Sequence, residues 1–302
     1  MNQPPKTPGP PPRTPDSHGA PDHRKSPLKT YRLPQWRLPP GVSAGTWEYT
    51  QRESIATEYA EFLKNTPLIS LDIDIVLRAL GPPMHPGQRV VDLGCGDGRA
   101  MRALGDVGYQ TIGIDMSQPM LSRVIANAWE PALCVRANLA QLSGIRDGVA
   151  DHAVCLFSTI GMIRGREHRQ TFLRDVARIV RPGGRLVVHV HNRNMAWRDR
   201  PSATAYLRSL RASWRSTDYE LGDRVYSYRG LADMFLHTYS KKEFTSDLRG
   251  CGWRIDELIA LSPTSDATLS APHWMPSLRA GGFIAIASRK HEGKEKEKND
   301  RK

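Results

Sequence analysis

The stretch Val90–Arg99, "VVDLGCGDGR", places Gly94, Gly96 and Gly98 among Asp92, Cys95 and Asp97. Glycines at this spacing permit a tight turn after a strand and close approach of a ligand to the backbone. In a dinucleotide site such a turn leads into a helix N-terminus, whose N–H groups and dipole favour a pyrophosphate. Two carboxylates at that place would repel it. They suit a ligand with positive charge and no phosphate. Asp115, in "TIGIDMS", follows Gly94 by 21 residues. A carboxylate at the end of the next strand can accept hydrogen bonds from both ribose hydroxyls, each charge-assisted bond contributing about 1.5–3 kcal/mol. S-adenosylmethionine, an adenosine with an ammonium and a sulfonium, meets both demands.

These residues need a scaffold that brings strand ends together. The sequence alternates strand and helix patterns: strand 88–93, helix 98–107, strand 110–115, helix 117–128, strand 132–136, strand 151–157, helix 166–180 and strand 185–191. "ESIATEYAEFLK" and "ISLDIDIVLRAL" read as helices ahead of this core, and helix 241–250 with strands near 253–260 and 281–288 follows it. "RPGGR" at 181–185 ends one helix and restarts a strand. The predicted fold is α/β: a doubly wound, mostly parallel seven-stranded sheet with a helical insertion before the sixth strand. Ligands of such sheets bind beyond the carboxyl ends of the strands.

Residues 88–191 resemble the class I S-adenosylmethionine-dependent methyltransferases. "VVDLGCGDGR" resembles the first motif of that family and "IGIDMSQPML" the second. "CVRANLAQL" resembles the third, with Asn138 where the family often has Asp, and "DHAVCLFSTIGMI" the fourth. "VARIVRPGGRLVVHV" is similar to the helix–turn–strand that follows, and "GGFIAIASR" to the final strand. The resemblance implies S-adenosylmethionine as cofactor. It implies that Asp92, Gly94, Cys95, Gly96, Asp97 and Gly98 surround the methionine part and that Asp115 holds the ribose. Met116 and Leu139 would flank the adenine, Asn138 would bond its amino group, and Phe157 of the fourth motif would belong to the same pocket.

Methyl transfer from a sulfonium depends heavily on positioning, which can supply about 7–11 kcal/mol. An amine or hydroxyl acceptor can also need a base. His189 and His191 in "VVHVHN" fall two apart, on one face of the fifth strand. His191 is nearer the carboxyl end and is the candidate base, against the plainer role of a hydrogen-bonded structural histidine. Tyr49 and Tyr59 could close over the methionine end or simply pack. Acceptor choice is expected from 192–239, which holds eight arginines, five acids and eight aromatics. Arg193, Arg198 and Arg200 would meet an anionic group on the acceptor, or be merely solvated.

Two resemblances bear on the acceptor. "VCLFSTIGMI" is similar to small-molecule N-methyltransferases, and "YSYRGLADMFLHTYSKKEFTSDLRGCGWRI" loosely resembles the end of tRNA wobble-uridine methyltransferases. A small molecule is the favoured acceptor, N- or O-methylated; tRNA is the second reading, and a non-catalytic cofactor-binding or scaffold protein the third.

The charge of +12 is concentrated at the ends: residues 1–40 carry +5, residues 289–302 carry +3, and 41–288 the remaining +4. With 12 of 23 prolines, residues 1–40 are expected to be disordered, as is the charged segment 289–302, leaving 41–288 as the methyltransferase domain with 192–239 as its lid. No apolar run reaches the roughly 20 residues that span a membrane, and no signal-peptide core is evident. Cys95, Cys134, Cys155 and Cys251 lie too far apart for a disulfide or zinc framework, so no metal and a reducing, cytoplasmic setting are expected.

Overall fold

The computed structural model describes residues 33–64, 69–127, 132–198, 200–215 and 219–290. Three helices come first: α1 (Ala44–Gln51), α2 (Glu53–Lys64) and α3 (Ile69–Leu80). Ser43 caps α1, its hydroxyl accepting from the Thr46 N–H at 3.2 Å. The alternating part runs β1 (Arg89–Leu93), α4 (Arg99–Asp106), β2 (Gln110–Asp115), α5 (Gln118–Ala126), β3 (Ala132–Arg136), β4 (His152–Cys155), α6 (Arg166–Ile179) and β5 (Arg185–His191). Then come α7 (Arg200–Arg215), β6 (Asp223–Tyr228), β7 (Leu231–His237), α8 (Lys241–Gly250), β8 (Trp253–Leu261), a short α9 (Pro276–Arg279) and β9 (Gly282–Arg289).

Seven strands form one sheet in the order β3-β2-β1-β4-β5-β9-β8. β9 runs antiparallel to both β5 and β8, and the other paired strands are parallel. The order reverses at β1, so the crevice opens above β1 and β4. The period of two along each strand divides the core. Val91 and Leu93 pack with Phe172, Val176 and Phe244 of α6 and α8, whereas Val90, Val154 and Val187 pack with Ile75 and Val76 of α3 and Leu104 of α4. Burial on both faces explains why β1 and β5 read as nearly unbroken apolar runs.

The segment 192–239, expected as a helical insertion, holds strand as well as helix. A 3-10 turn (Arg193–Arg198) and α7 are followed by a separate two-stranded sheet, β6 with β7. Arg229 and Gly230 join these strands with φ of 48° and 76°. Positive φ at both loop residues is the conformation that matches hairpin twist. α1 lies on this hairpin: a Cβ at Gly45 would run into the Asp233 carbonyl, so only glycine permits the contact.

Described structure continues past 41–288 at both ends. A 3-10 turn covers Gln35–Arg37, and the Gly41 carbonyl accepts from the Arg164 N–H at 2.7 Å. β9 pairs through Arg289, and the Lys290 N–H donates to the Gly252 carbonyl at 3.0 Å. Residues 1–32 and 291–302, the rest of the expected tails, lie outside the described residues. No described helix is long and apolar enough to cross a membrane.

Candidate active site

The ends of β1, β2, β4 and β5 line one cavity of about 260 Å³. After β1 the chain turns through Gly94, Gly96 and Gly98 with φ of 80°, 55° and 85°, so all three glycines occupy the left-handed region. α4 starts directly after this turn, with Gly98 at its N-cap. Asp115 closes β2 and secures the turn: its Oδ2 accepts from the Gly96 N–H at 2.9 Å and its Oδ1 from the Ser117 N–H at 2.8 Å. β4 ends earlier than the sequence pattern indicates because Phe157 and Ser158 both adopt left-handed backbone, with φ of 53° and 61°. That strained turn puts Phe157 on the cavity and leaves Ser158 buried, its Oγ accepting from the His191 N–H at 3.2 Å.

The lining brings together Asp92, Gly94, Cys95, Gly96, Asp97, Asp115, Met116, Asn138, Leu139, Phe157, His191 and Tyr49. Asn138 is already engaged. Its Oδ1 accepts from the Ala140 N–H at 3.0 Å, and its Nδ2 donates to the Pro40 carbonyl at 2.9 Å. A segment expected to be part of a tail thus helps fix a cavity residue. Tyr59 lies on α2 with its side chain outside the described residues.

The electrostatics favour a cation. Burial pushes the Asp92 carboxyl up to about 7; Arg99 opposes this, while Asp115 and Asp97 add to it. Burial likewise raises Asp97 against the pull of Arg123, Arg99 and Arg102, and its Oδ1 is buried with no hydrogen-bond partner among the described residues. Burial also raises Asp115, against three backbone hydrogen bonds. Three carboxyls held up by burial at a left-handed glycine cradle fit an ammonium- and sulfonium-bearing ligand, because a cation there relieves their desolvation. Cys95 is driven far up by burial and by Asp92 and Asp115, which makes it an inert wall.

Of the three arginines expected to meet the acceptor, Arg193 is engaged elsewhere. Arg193 donates to Glu243 Oε2 at 2.6 Å and to the Leu221 carbonyl at 2.5 Å, and it does not line the cavity. The side chains of Arg198 and Arg200 lie outside the described residues. Trp197 meets Tyr206 with ring centroids 5.2 Å apart at a tilt of 59° and is 56 % exposed, so it faces outward. The wall opposite the glycine turn comes instead from Thr46, Tyr49 and Thr50 of α1 and from Tyr226, Tyr228, Met234 and Leu236 of the hairpin. The two tyrosines belong to the aromatic set that the sequence singled out; the Arg-Gly loop was the available signal for their hairpin. Among the described lining residues, Arg99 is the one basic side chain beside His191.

Arg193 belongs to a buried network that ties the hairpin to the body. His237 Nδ1 lies 2.6 Å from Asp223 Oδ1, and its Nε2 lies 2.8 Å from Glu243 Oε1. Arg169 on α6, fully buried, reaches Glu220 Oε2 at 2.8 Å. Ligand atoms of Glu220, His237 and Glu243 come within 4.8 Å of one another, but each residue is already partnered within this acid–base set.

Residues 91–188 match the methyltransferase domain family. The chain is 22% identical over 196 residues to the methyltransferase-named protein YqeM of Bacillus subtilis (strain 168), covering 57% of this chain and 76% of that one. It is 24% identical over 183 residues to the mitochondrial ubiquinone biosynthesis O-methyltransferase of Mus musculus, covering 55% and 49%. Several other curated relatives it matches, which include proteins named for rRNA and tRNA methylation, are spanned over about half their length or less. A crystal structure of a Methanosarcina mazei S-adenosylmethionine-dependent methyltransferase superposes with a TM-score of 0.57 at 21% identity, covering 72% of this chain and 98% of that one. The fold, the glycine-turn site and these matches place the chain in the class I S-adenosylmethionine-dependent methyltransferases. It is an enzyme of that class, and S-adenosylmethionine is its cofactor.

Proposed function

We propose that the chain methylates a nitrogen or oxygen of a small, uncharged, largely apolar or aromatic molecule. The observation that carries this is the wall of α1 and the hairpin: threonines, tyrosines and methionines, with no arginine or lysine from 192–239 among the described lining residues. An anionic acceptor, the expectation raised by the arginines, meets no arginine or lysine among the described residues of that wall. A polynucleotide would call for a basic track to its phosphates, whereas this wall is mostly apolar.

In this reading Asp92, Cys95 and Asp97 with Gly94, Gly96 and Gly98 hold the methionine part, Asp115 the ribose, and Met116, Asn138, Leu139 and Phe157 the adenine. When bound, S-adenosylmethionine supplies a methyl on a sulfonium: the acceptor's lone pair forms the new bond, the carbon–sulfur electrons remain on sulfur, and an N–H or O–H proton is released. Tyr49, Tyr226 and Tyr228 exclude water and orient a planar acceptor. His191 takes the released proton. Burial, His189 and Arg224 outweigh Asp72 and hold its imidazole down to about 3, so it is unprotonated at neutral pH.

Incubation with labelled S-adenosylmethionine and extract from the protein's own source, fractionated into small molecules, RNA and protein, tests this reading. Label is expected among uncharged small molecules. Label in RNA, with turnover falling steeply with salt, would overturn it in favour of the tRNA reading; no transfer to any fraction, with cofactor bound, would favour a non-catalytic role.

A further inference from the structure

The layer between α3 and the sheet is apolar, built from Ile75, Val76, Val187, Ile284 and Ile286, with one exception. Asp72 and His189, both fully buried, meet there with Asp72 Oδ2 3.0 Å from His189 Nδ1. Their other polar atoms, Asp72 Oδ1 and His189 Nε2, are buried with no hydrogen-bond partner among the described residues. A buried polar pair satisfied at a single contact is a poor device for stability, since well-packed apolar residues would serve as well or better.

Its placement gives it another use. His189 and His191 project from the same face of β5, their rings edge-on at 79° with centroids 5.4 Å apart. His191 reaches the cavity and meets the ring of Phe157 at 6.2 Å. Gly282 is the register partner of His191 on β9, and a Cβ at that position would come within 3.0 Å of His189 Nε2. Glycine at 282 keeps side chains off the end of the His189 ring that bears this atom.

We propose that Asp72 and His189 are positioning residues for His191, the carboxylate fixing His189 as its Nδ1–H tautomer and the pair setting the ring orientation and charge environment of His191 at the acceptor. This rests on His191 taking the acceptor's proton. A carboxylate accepts, so the Nδ1 facing it carries the hydrogen and Nε2 keeps its lone pair. The groups acting on His191 come from three elements: His189 of β5 and Arg224 of β6 disfavour its protonated form, and Asp72 of α3 favours it. When the proton passes from the acceptor to a ring nitrogen of His191, the new positive charge is offset by Asp72, and Asp72 and His189 keep the protons they had.

Nitrogen-15 spectra of histidine-labelled full-length protein at neutral pH test this without a known acceptor. The wild type is expected to show His189 as the Nδ1–H tautomer. Asp72→Asn should change the tautomer ratio of His191 at least about twofold while S-adenosylhomocysteine affinity stays within about threefold, under roughly 1 kcal/mol. His189 protonated at Nε2 in the wild type, or His191 signals unchanged in a folded variant, would overturn the proposal. Should Asp72→Asn not fold, His189→Gln, which keeps a donor toward Asp72 but removes the ring, gives the same two outcomes at His191. Failure of the wild type to bind S-adenosylhomocysteine would instead overturn the reading of the cavity.

Discussion

Asp92 illustrates a residue whose cost in the free protein serves a ligand. Its folded-state pKa of about 7 lies above the ordinary 3.8. A raised carboxyl contributes stability while protonated, and that contribution is lost as pH rises from about 4 through about 7. Asp92→Asn should therefore melt higher than the ligand-free wild type at pH 8, by up to about 2–4 kcal/mol, and nearly match it at pH 4. Melting curves at the two pH values check this. Asp115 differs because its carboxylate also binds the Gly96 and Ser117 N–H groups. Asp115→Ala should weaken S-adenosylhomocysteine at least about tenfold by calorimetry and also lower stability by about 1–3 kcal/mol, because two backbone donors lose their acceptor. Wild-type affinity in a folded variant would remove Asp115 from the ribose site.

Among the elements, the β6–β7 hairpin forms one wall of the cavity, and a buried acid–base network adds to the apolar contacts that attach it. Glu243 is placed by the capping sequence of α8: Ser240 Oγ accepts from the Glu243 N–H at 3.1 Å. Its carboxylate then turns to His237 and Arg193. Burial alone would raise Glu243, but the His237 hydrogen bond and the charges of His237, Arg193 and Arg169 hold it below the ordinary 4.5. A lowered carboxyl contributes stability above its unfolded value and loses it as pH falls through the folded one. Glu243→Gln should thus cost about 1–3 kcal/mol near pH 7, with the gap to wild type closing below about pH 4. Denaturant titration measures the cost. Hydrogen exchange across 223–237, faster in the variant, shows whether the hairpin is what loosens.

For the whole molecule, the described edges predict where the domain can be cut. A 33–290 fragment keeps the Pro40 carbonyl that receives Asn138 and the β9 pairing through Arg289. It should bind S-adenosylhomocysteine within about threefold of the full chain. A 41–288 fragment loses both contacts and should be less stable by at least about 1 kcal/mol. Calorimetry and thermal melts on the two fragments decide this; equal behaviour would return the boundary to the one expected from proline content.

The sequence by itself determined the strand–helix alternation, the glycine turn with its acids, and Asp115 at the end of β2. These signals are local: a turn needs its own glycines, and a strand covered on both faces needs its own apolar run. Tertiary structure alone decided which distant groups meet. Asp72 reaches His189 across 117 residues, because α3 packs on the face of β5 where that side chain emerges. Arg193 was legible as a charge but not as the partner of Glu243, 50 residues on. The hairpin escaped the pattern because Arg229–Gly230 is a weaker turn signal than Asn-Gly, and because β6 and β7 lie on α1 rather than extending the main sheet. Composition placed arginines in that segment; packing decided that Arg193 would face the network and that Tyr226 and Tyr228 would line the cavity.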